Sequence, residues 1–391
     1  MNNPLYSIRL LLFCVLALGC SLTACRQSAQ EPAVETPDPE PADTVVAPQE
    51  ITLLFAGDLM QHKPQFVAAL MADGTYDYSG CFDEVRPIIE SADVAIANFE
   101  TTLGGKDYAG YPQFCSPDAY AKAIQEAGFD ILLTANNHSC DTRRHGIERT
   151  ISVLDTLGIP HLGTYVDSVA REAQYPFMLN QNGFRIALLN YTYGTNGIPV
   201  PKPSIVNLID TVQMMIDIEK AQAQHPDAII AFMHWGIEYV LHPRQVQVDM
   251  ANWLLAHGVT HVIGGHPHVC QPIEFRTDTV SGERHLVVYS LGNYVSHMVD
   301  PKCTVGFMVR LTLQRDAEGI AHASAADYQM CWVDRPVRSR KRVHRVLPID
   351  YPDSLLSPLS RAQRDEFLPM MRKLFEEENI GINEVKCKEV K

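Results

Sequence analysis

The chain is predicted to be an α/β protein. Short β-branched and apolar runs alternate with stretches whose apolar residues recur at spacings of three and four. At 391 residues and 46% apolar composition it can bury the core such a fold needs. Several strand-like runs also end on a residue suited to metal or phosphate chemistry, and in open α/β sheets ligands bind beyond the carboxyl ends of the strands.

In chain order, Arg9 precedes an apolar segment, residues 10–19, followed by Leu22-Thr23-Ala24-Cys25. The apolar run is short for a bilayer span, and small residues precede a cysteine, which is the pattern of a bacterial lipoprotein signal over residues 1–25. Cys25 then becomes the lipidated first residue of a membrane-anchored protein of the cell envelope, exposed outside the cytoplasm. Residues 26–50 are rich in Pro, Glu, Ala and Thr, bury too little apolar surface to offset chain entropy, and are expected to be a disordered tether.

Strands are expected over residues 51–56, 94–97, 131–134, 185–190, 228–233, 259–263 and 285–290. Helices are expected over 118–127, 145–157, 210–224 and 245–257, with Asp118 at a helix start and Gly128 and Gly158 at helix ends. Further strands over 307–313 and 325–333 and a charged helix over 361–378 are assigned to a C-terminal extension, residues 310–391, packed on a main domain spanning 51–309.

A net charge of -14 argues against a nucleic-acid partner, because proteins that grip phosphate backbones gather positive charge where they touch them. The basic run from Arg335 to Arg345 reads as a solvated loop or strand edge. Beyond Cys25 the cysteines are Cys81, Cys115, Cys140, Cys270, Cys303, Cys331 and Cys387, an odd number without regular spacing or a Cys-x-x-Cys pair. Neither a disulfide framework nor a zinc knuckle is indicated. No phosphate-cradling glycine loop is present, so polymer synthesis driven by a nucleotide would need another protein.

The chemistry concentrates at the strand ends. Gly264-Gly265-His266-Pro267-His268 follows the apolar Val262-Ile263 and places two imidazoles one residue apart on a turn. Gly57-Asp58, Asn98-Phe99-Glu100, Asn136-Asn137-His138 and His234-Trp235-Gly236-Ile237-Glu238 supply the remaining candidates. Asp58 and Glu100 offer anionic oxygens, Asn137 a carbonyl oxygen, and His234, His266 and His268 imidazole nitrogens. This mixture suits two divalent ions of manganese, zinc or iron better than magnesium, which prefers oxygen and water. Paired cations lower the pKa of a bound water and clamp attacking and leaving oxygens, so the set points to hydrolysis. Asp58 and Glu100 anchor the metals in this reading, Glu100 as the bridge, while His138 stands beside them to protonate a leaving group. Glu238, His62 and Asn98 are candidates to bind substrate or orient a metal ligand, and Ser290 and Asn293, in Tyr289-Ser290-Leu291-Gly292-Asn293-Tyr294, to hydrogen-bond near the cleft.

With these motifs in this order, the chain resembles the CapA family of bacterial poly-gamma-glutamate capsule biosynthesis proteins over residues 51–309. That family is similar to the calcineurin-like metallophosphatases, which implies a four-layer α/β/β/α sandwich with a dinuclear metal centre at one end. The resemblance implies Asp58, Glu100, Asn137, His234, His266 and His268 as ligands and His138 as general acid. The phosphatases place a histidine two residues after the first aspartate, where this chain has Met60, and His62 is the nearest histidine. They also carry an aspartate in place of Glu100 and an acid in place of Ser139. The implied partners are the membrane, through the lipid, an anionic envelope polymer or its precursor, and the capsule synthesis machinery. Two functions remain open: a two-metal hydrolase in capsule or poly-gamma-glutamate metabolism, and a non-catalytic assembly or export factor that binds polymer in the same cleft.

Overall fold

The computed structural model describes residues 49–338 and 341–386. The signal segment, Cys25, nearly all of the expected tether, and Cys387 lie outside the described residues. Glu50, the last residue of that tether, already belongs to a strand and pairs with Gln314.

Two sheets form the body. In the nine-stranded sheet, Glu50–Met60 is central, with Val94–Glu100, Ile131–Leu133 and His161–Leu162 added in parallel on one side. On its other side Val305–Arg315, Ala321–Asp334 and Arg345–Pro348 add antiparallel. The six-stranded sheet runs Ile273–Thr277, Arg284–Val288, His261–Gly265, Ala228–His234, Phe184–Thr192 and Phe177–Gln181, its four inner strands mutually parallel.

Strand alternation sets the layering. Along Glu50–Met60, Ile51, Leu53 and Phe55 join a core with Leu188, Ile230, Phe232 and Ile263 of the second sheet. Phe55 and Phe232 meet edge to face at 5.7 Å. The intervening Leu54 and Ala56 pack instead with Tyr120, Ala121 and Ile124 of helix Asp118–Glu126 and Leu154 of helix Arg143–Leu157. Helices Thr211–Gln222 and Gln245–Ala256 connect parallel strands of the second sheet and bury Met214, Ile218, Ala251 and Leu254 against it. The order is therefore helix, sheet, sheet, helix, as expected.

The expected boundary at 309/310 falls inside the strand Val305–Arg315. That strand and its antiparallel neighbour complete the first sheet, because Glu50–Met60 would otherwise present an open edge. The helix Pro358–Glu378 packs Phe367 and Phe375 onto Trp332 and Phe307 of the same strands. Asp118 lies inside the first turn of its helix rather than capping it, and its carboxylate receives two hydrogen bonds from Arg149. Gly158 ends Arg143–Leu157 in the left-handed conformation, as its position in the sequence suggests.

Candidate metal centre

Register brings the polar strand ends together. Within the first sheet Asp58 pairs with Asn98 and Met60 with Glu100, and Asn137 follows the next parallel strand. In the second sheet Gly265 pairs with His234, which sets His266 and His268 just beyond the strand ends. Both sheets therefore deliver donors to one end of the sandwich.

The His266 turn is tightly held. A Cβ on Gly264 would lie 2.1 Å from the carbonyl oxygen of Tyr289, so only glycine allows this approach. His266 and His268 both adopt positive φ, 96° and 57°, a conformation costing about 1–3 kcal/mol per residue and found where function demands it. The Pro267 carbonyl between them accepts the Tyr239 N–H at 2.8 Å.

Asp58, Glu100, Asn137, His234, His266 and His268 are all buried. The amide nitrogen of Asn98 donates to Oδ1 of Asp58 at 2.8 Å and to Oε2 of Glu100 at 3.1 Å, and lies 3.4 Å from Nδ1 of His234. Nε2 of His234 is 3.0 Å from Oδ1 of Asn137. Nδ1 of His268 is 3.1 Å from both Oδ2 of Asp58 and Oδ1 of Asn293, neither of which can donate as a carboxylate or amide oxygen. Nδ1 is therefore the donor in both contacts. Oε1 of Glu100 is 3.7 Å from Nε2 of His234 and 3.7 Å from Nε2 of His268, midway in chemical terms between the two imidazoles. Asp58, Glu100 and His234 form one group of mutually close donor atoms, and Glu238, His266 and His268 a second.

The electrostatics are those of a site that accepts cations. Burial, then the neighbouring charge of Asp58, raises the Glu100 carboxyl well above the usual range. Burial and the surrounding imidazoles hold His234 far below its ordinary value and His266 down to about 3, so both are neutral and able to ligate at neutral pH. Oε1 of Glu100 and Nδ1 of His266 are buried without a hydrogen-bond partner. Each such orphan costs about 1–3 kcal/mol, which a coordinated divalent ion would offset. The donor set thus fits the expected metals.

His138 stands beside this set, with Nδ1 2.7 Å from Oδ2 of Asp141 and its ring 4.5 Å from that of Phe114. His62 also packs edge to face with Phe114, and its Nδ1 accepts the His297 N–H at 3.3 Å. Burial, with His297 and His268 nearby, lowers its pKa to about 4. Asn293 is brought in as a support of His268. Ser290 serves a turn: its hydroxyl oxygen accepts the Gly292 N–H at 3.2 Å, and the Gly292 carbonyl in turn accepts the Asp58 N–H at 2.9 Å.

Three further residues take roles that the sequence reading did not assign them. Asn136 donates to Oδ1 of Asn98 at 3.2 Å and to the Phe99 carbonyl at 2.9 Å, fixing the amide that binds both carboxylates. Asp141 orients His138, and the spacing of three residues between them was the available signal. Tyr193 covers His266, ring centres 4.6 Å apart, from a loop with no local motif.

The family model described as "Bacterial capsule synthesis protein PGA_cap" matches residues 52–298. The chain belongs to this family. It is 26% identical to the capsule biosynthesis protein CapA of Bacillus anthracis, over 63% of this chain and 60% of that protein. It is also 26% identical to the PGA biosynthesis protein CapA of Bacillus subtilis (strain 168), over 68% of each chain. The match thus spans about three-fifths of the length of the anthracis protein. Among solved structures, the NAD nucleotidase of Haemophilus influenzae aligns over 86% of this chain and 57% of its own, with a TM-score of 0.44 and 14% identity.

Proposed function

We propose that this chain is a divalent-metal-dependent hydrolase of the cell envelope, acting on a capsule or poly-gamma-glutamate polymer or its precursor. The observation that carries this reading is Oε1 of Glu100, buried, unpartnered and equally distant from Nε2 of His234 and of His268. A carboxylate oxygen so placed is suited to bridge two cations. Asp58, Glu100, Asn137, His234, His266 and His268 would hold the ions, with manganese, zinc or iron matching the mixed oxygen and nitrogen donors. When bound, such a pair supplies Lewis acidity and an acidified water.

The chain's own residues do the rest. Asn98 locks both carboxylates with one amide, and Asn293 sets the His268 tautomer. His138, oriented by Asp141, is placed to hand a proton to the departing group. Envelope location is supported by the family and by the segment ending at Cys25, which would anchor the protein through a lipid. Among the described residues no helix is long and apolar enough to cross a membrane.

The test pairs metal analysis of the purified protein with a hydrolysis screen over capsule polymers, gamma-glutamyl oligomers and phosphoesters. The parent is expected to retain metal and turn over at least one class, and Glu100→Gln to lose both. Metal retained without turnover on any class would replace this reading with polymer binding in an assembly or export role.

A further inference from the structure

Directly beneath the centre, between the sheets, lies a void of about 20 Å³ touching Asp58, Asn98 and His234, too small for anything beyond a water. Substrate must therefore approach from outside. A cleft of about 510 Å³, within the size range of small-molecule sites, opens against two residues that adjoin the donors, Tyr193 and Trp235. Its walls are Tyr193, Trp235, Ile237, Val246 and Met250, and Arg244 stands among them. Tyr193 is the ring lying on His266, and Trp235 follows His234, so cleft and centre share a wall.

The lining is mainly apolar, and Val246, Ile237 and Tyr193 are 67, 49 and 48% exposed, more than the packing of a core requires. Arg244 is exposed and in no ion pair among the described residues. A gamma-glutamyl polymer carries a carboxylate on every unit, and seating several of them against this wall with one cation would strip their hydration without replacement. The opposite composition fits: hydrocarbon on the wall, and a single anionic group for Arg244 to meet.

We infer that the cleft seats the apolar portion of an amphiphilic substrate, a phosphate ester of a hydrocarbon alcohol, beside its anionic group. This rests on the hydrolase reading and narrows it to a lipid-linked precursor rather than the interior of a polyanionic chain.

Calorimetric titration of the full chain with inorganic, methyl, butyl and octyl phosphate, with and without manganese, tests it. Affinity is expected to rise about fourfold for each methylene seated, over the first several carbons. Val246→Asp and, separately, Met250→Glu should flatten that dependence in proteins whose unfolding midpoints match the parent. Arg244→Gln should weaken all the esters together. Equal affinity for methyl and octyl phosphate, or an undiminished tail dependence in both cleft variants, overturns the inference. Failure of inorganic phosphate to respond to manganese would instead count against the metal-centre reading, while the tail dependence is still read from the methyl, butyl and octyl esters without manganese.

Discussion

His138 and Asp141 form a buried pair, Nδ1 to Oδ2 at 2.7 Å, and the same carboxylate oxygen accepts the backbone N–H of Phe114 at 2.6 Å. The second bond holds the carboxylate while the first holds the imidazole, so the ring has one orientation beside the metal donors. Asp141 touches none of those donors in the bonds it makes. Asp141→Asn is therefore expected to lower kcat by about 10–100-fold while metal content stays at the parent level, the usual scale for losing an orienting carboxylate. Parallel metal analysis and turnover check this. Metal lost together with activity would show that Asp141 supports the centre itself.

Two adjacent glycines separate folding from metal binding. On Gly264 a Cβ would strike the Tyr289 carbonyl at 2.1 Å and the indole nitrogen of Trp235 at 2.6 Å, both in the packed interior. Gly264→Ala should therefore destabilise the metal-free protein by about 1–3 kcal/mol or more, the range for overpacking. On Gly265 the nearest atom would be Oδ1 of Asp58 at 3.0 Å, with His234 next at 3.8 Å. Gly265→Ala should leave metal-free stability close to the parent and weaken metal affinity. Denaturant unfolding and metal titration of both variants measure the contrast, and equal effects on stability would contradict it.

Which parts of this arrangement were legible follows from how local each signal is. Asp58, Glu100, His234 and His266 could be read because each terminates an apolar strand run, and parallel strands place such ends on one side. The paired imidazoles were legible because His266 and His268 stand one residue apart on a turn that directly follows such a run. Pairing between distant segments carries no such mark. Nothing near residue 309 shows that Val305–Arg315 closes the sheet against Glu50–Met60, so the extension was separated from a sheet it completes. Ser290 was ambiguous for a related reason: a polar residue after a strand serves a turn as readily as a cleft, and here its hydroxyl oxygen accepts the Gly292 N–H. Tyr193 reaches His266 from a loop after its strand, where only three-dimensional packing decides what a side chain covers.

Membrane attachment is expected to depend on Cys25. In cells, Cys25→Ser should move the protein from the membrane to the soluble envelope fraction without changing the fold of residues 49 onward, whose first strand begins at Glu50. Fractionation and lipid labelling check both parts. A variant that stays with membranes would show that attachment has another source.

Acid sensitivity should come in part from a histidine remote from the metal donors. His261 is fully buried in the strand His261–Gly265, its Nδ1 accepts the Leu286 N–H at 3.0 Å, and burial, with the nearby His285, lowers its pKa to about 3 from 6.5. A lowered histidine pKa means that between these values the unfolded chain binds a proton that the folded chain refuses. Stability from this group is complete above pH 6.5 and is lost as pH falls towards 3, with a slope of about 1.4 kcal/mol per pH unit. His62, lowered to about 4, adds to the same trend above that value. His261→Gln removes the titrating ring while the side-chain amide oxygen can still accept from Leu286. Its unfolding free energy should start below that of the parent at pH 7 and fall less steeply towards pH 4, so the two curves converge. Chemical denaturation across that range decides it, and parallel curves for parent and variant would mean that His261 is protonated in the folded protein as readily as in the unfolded one.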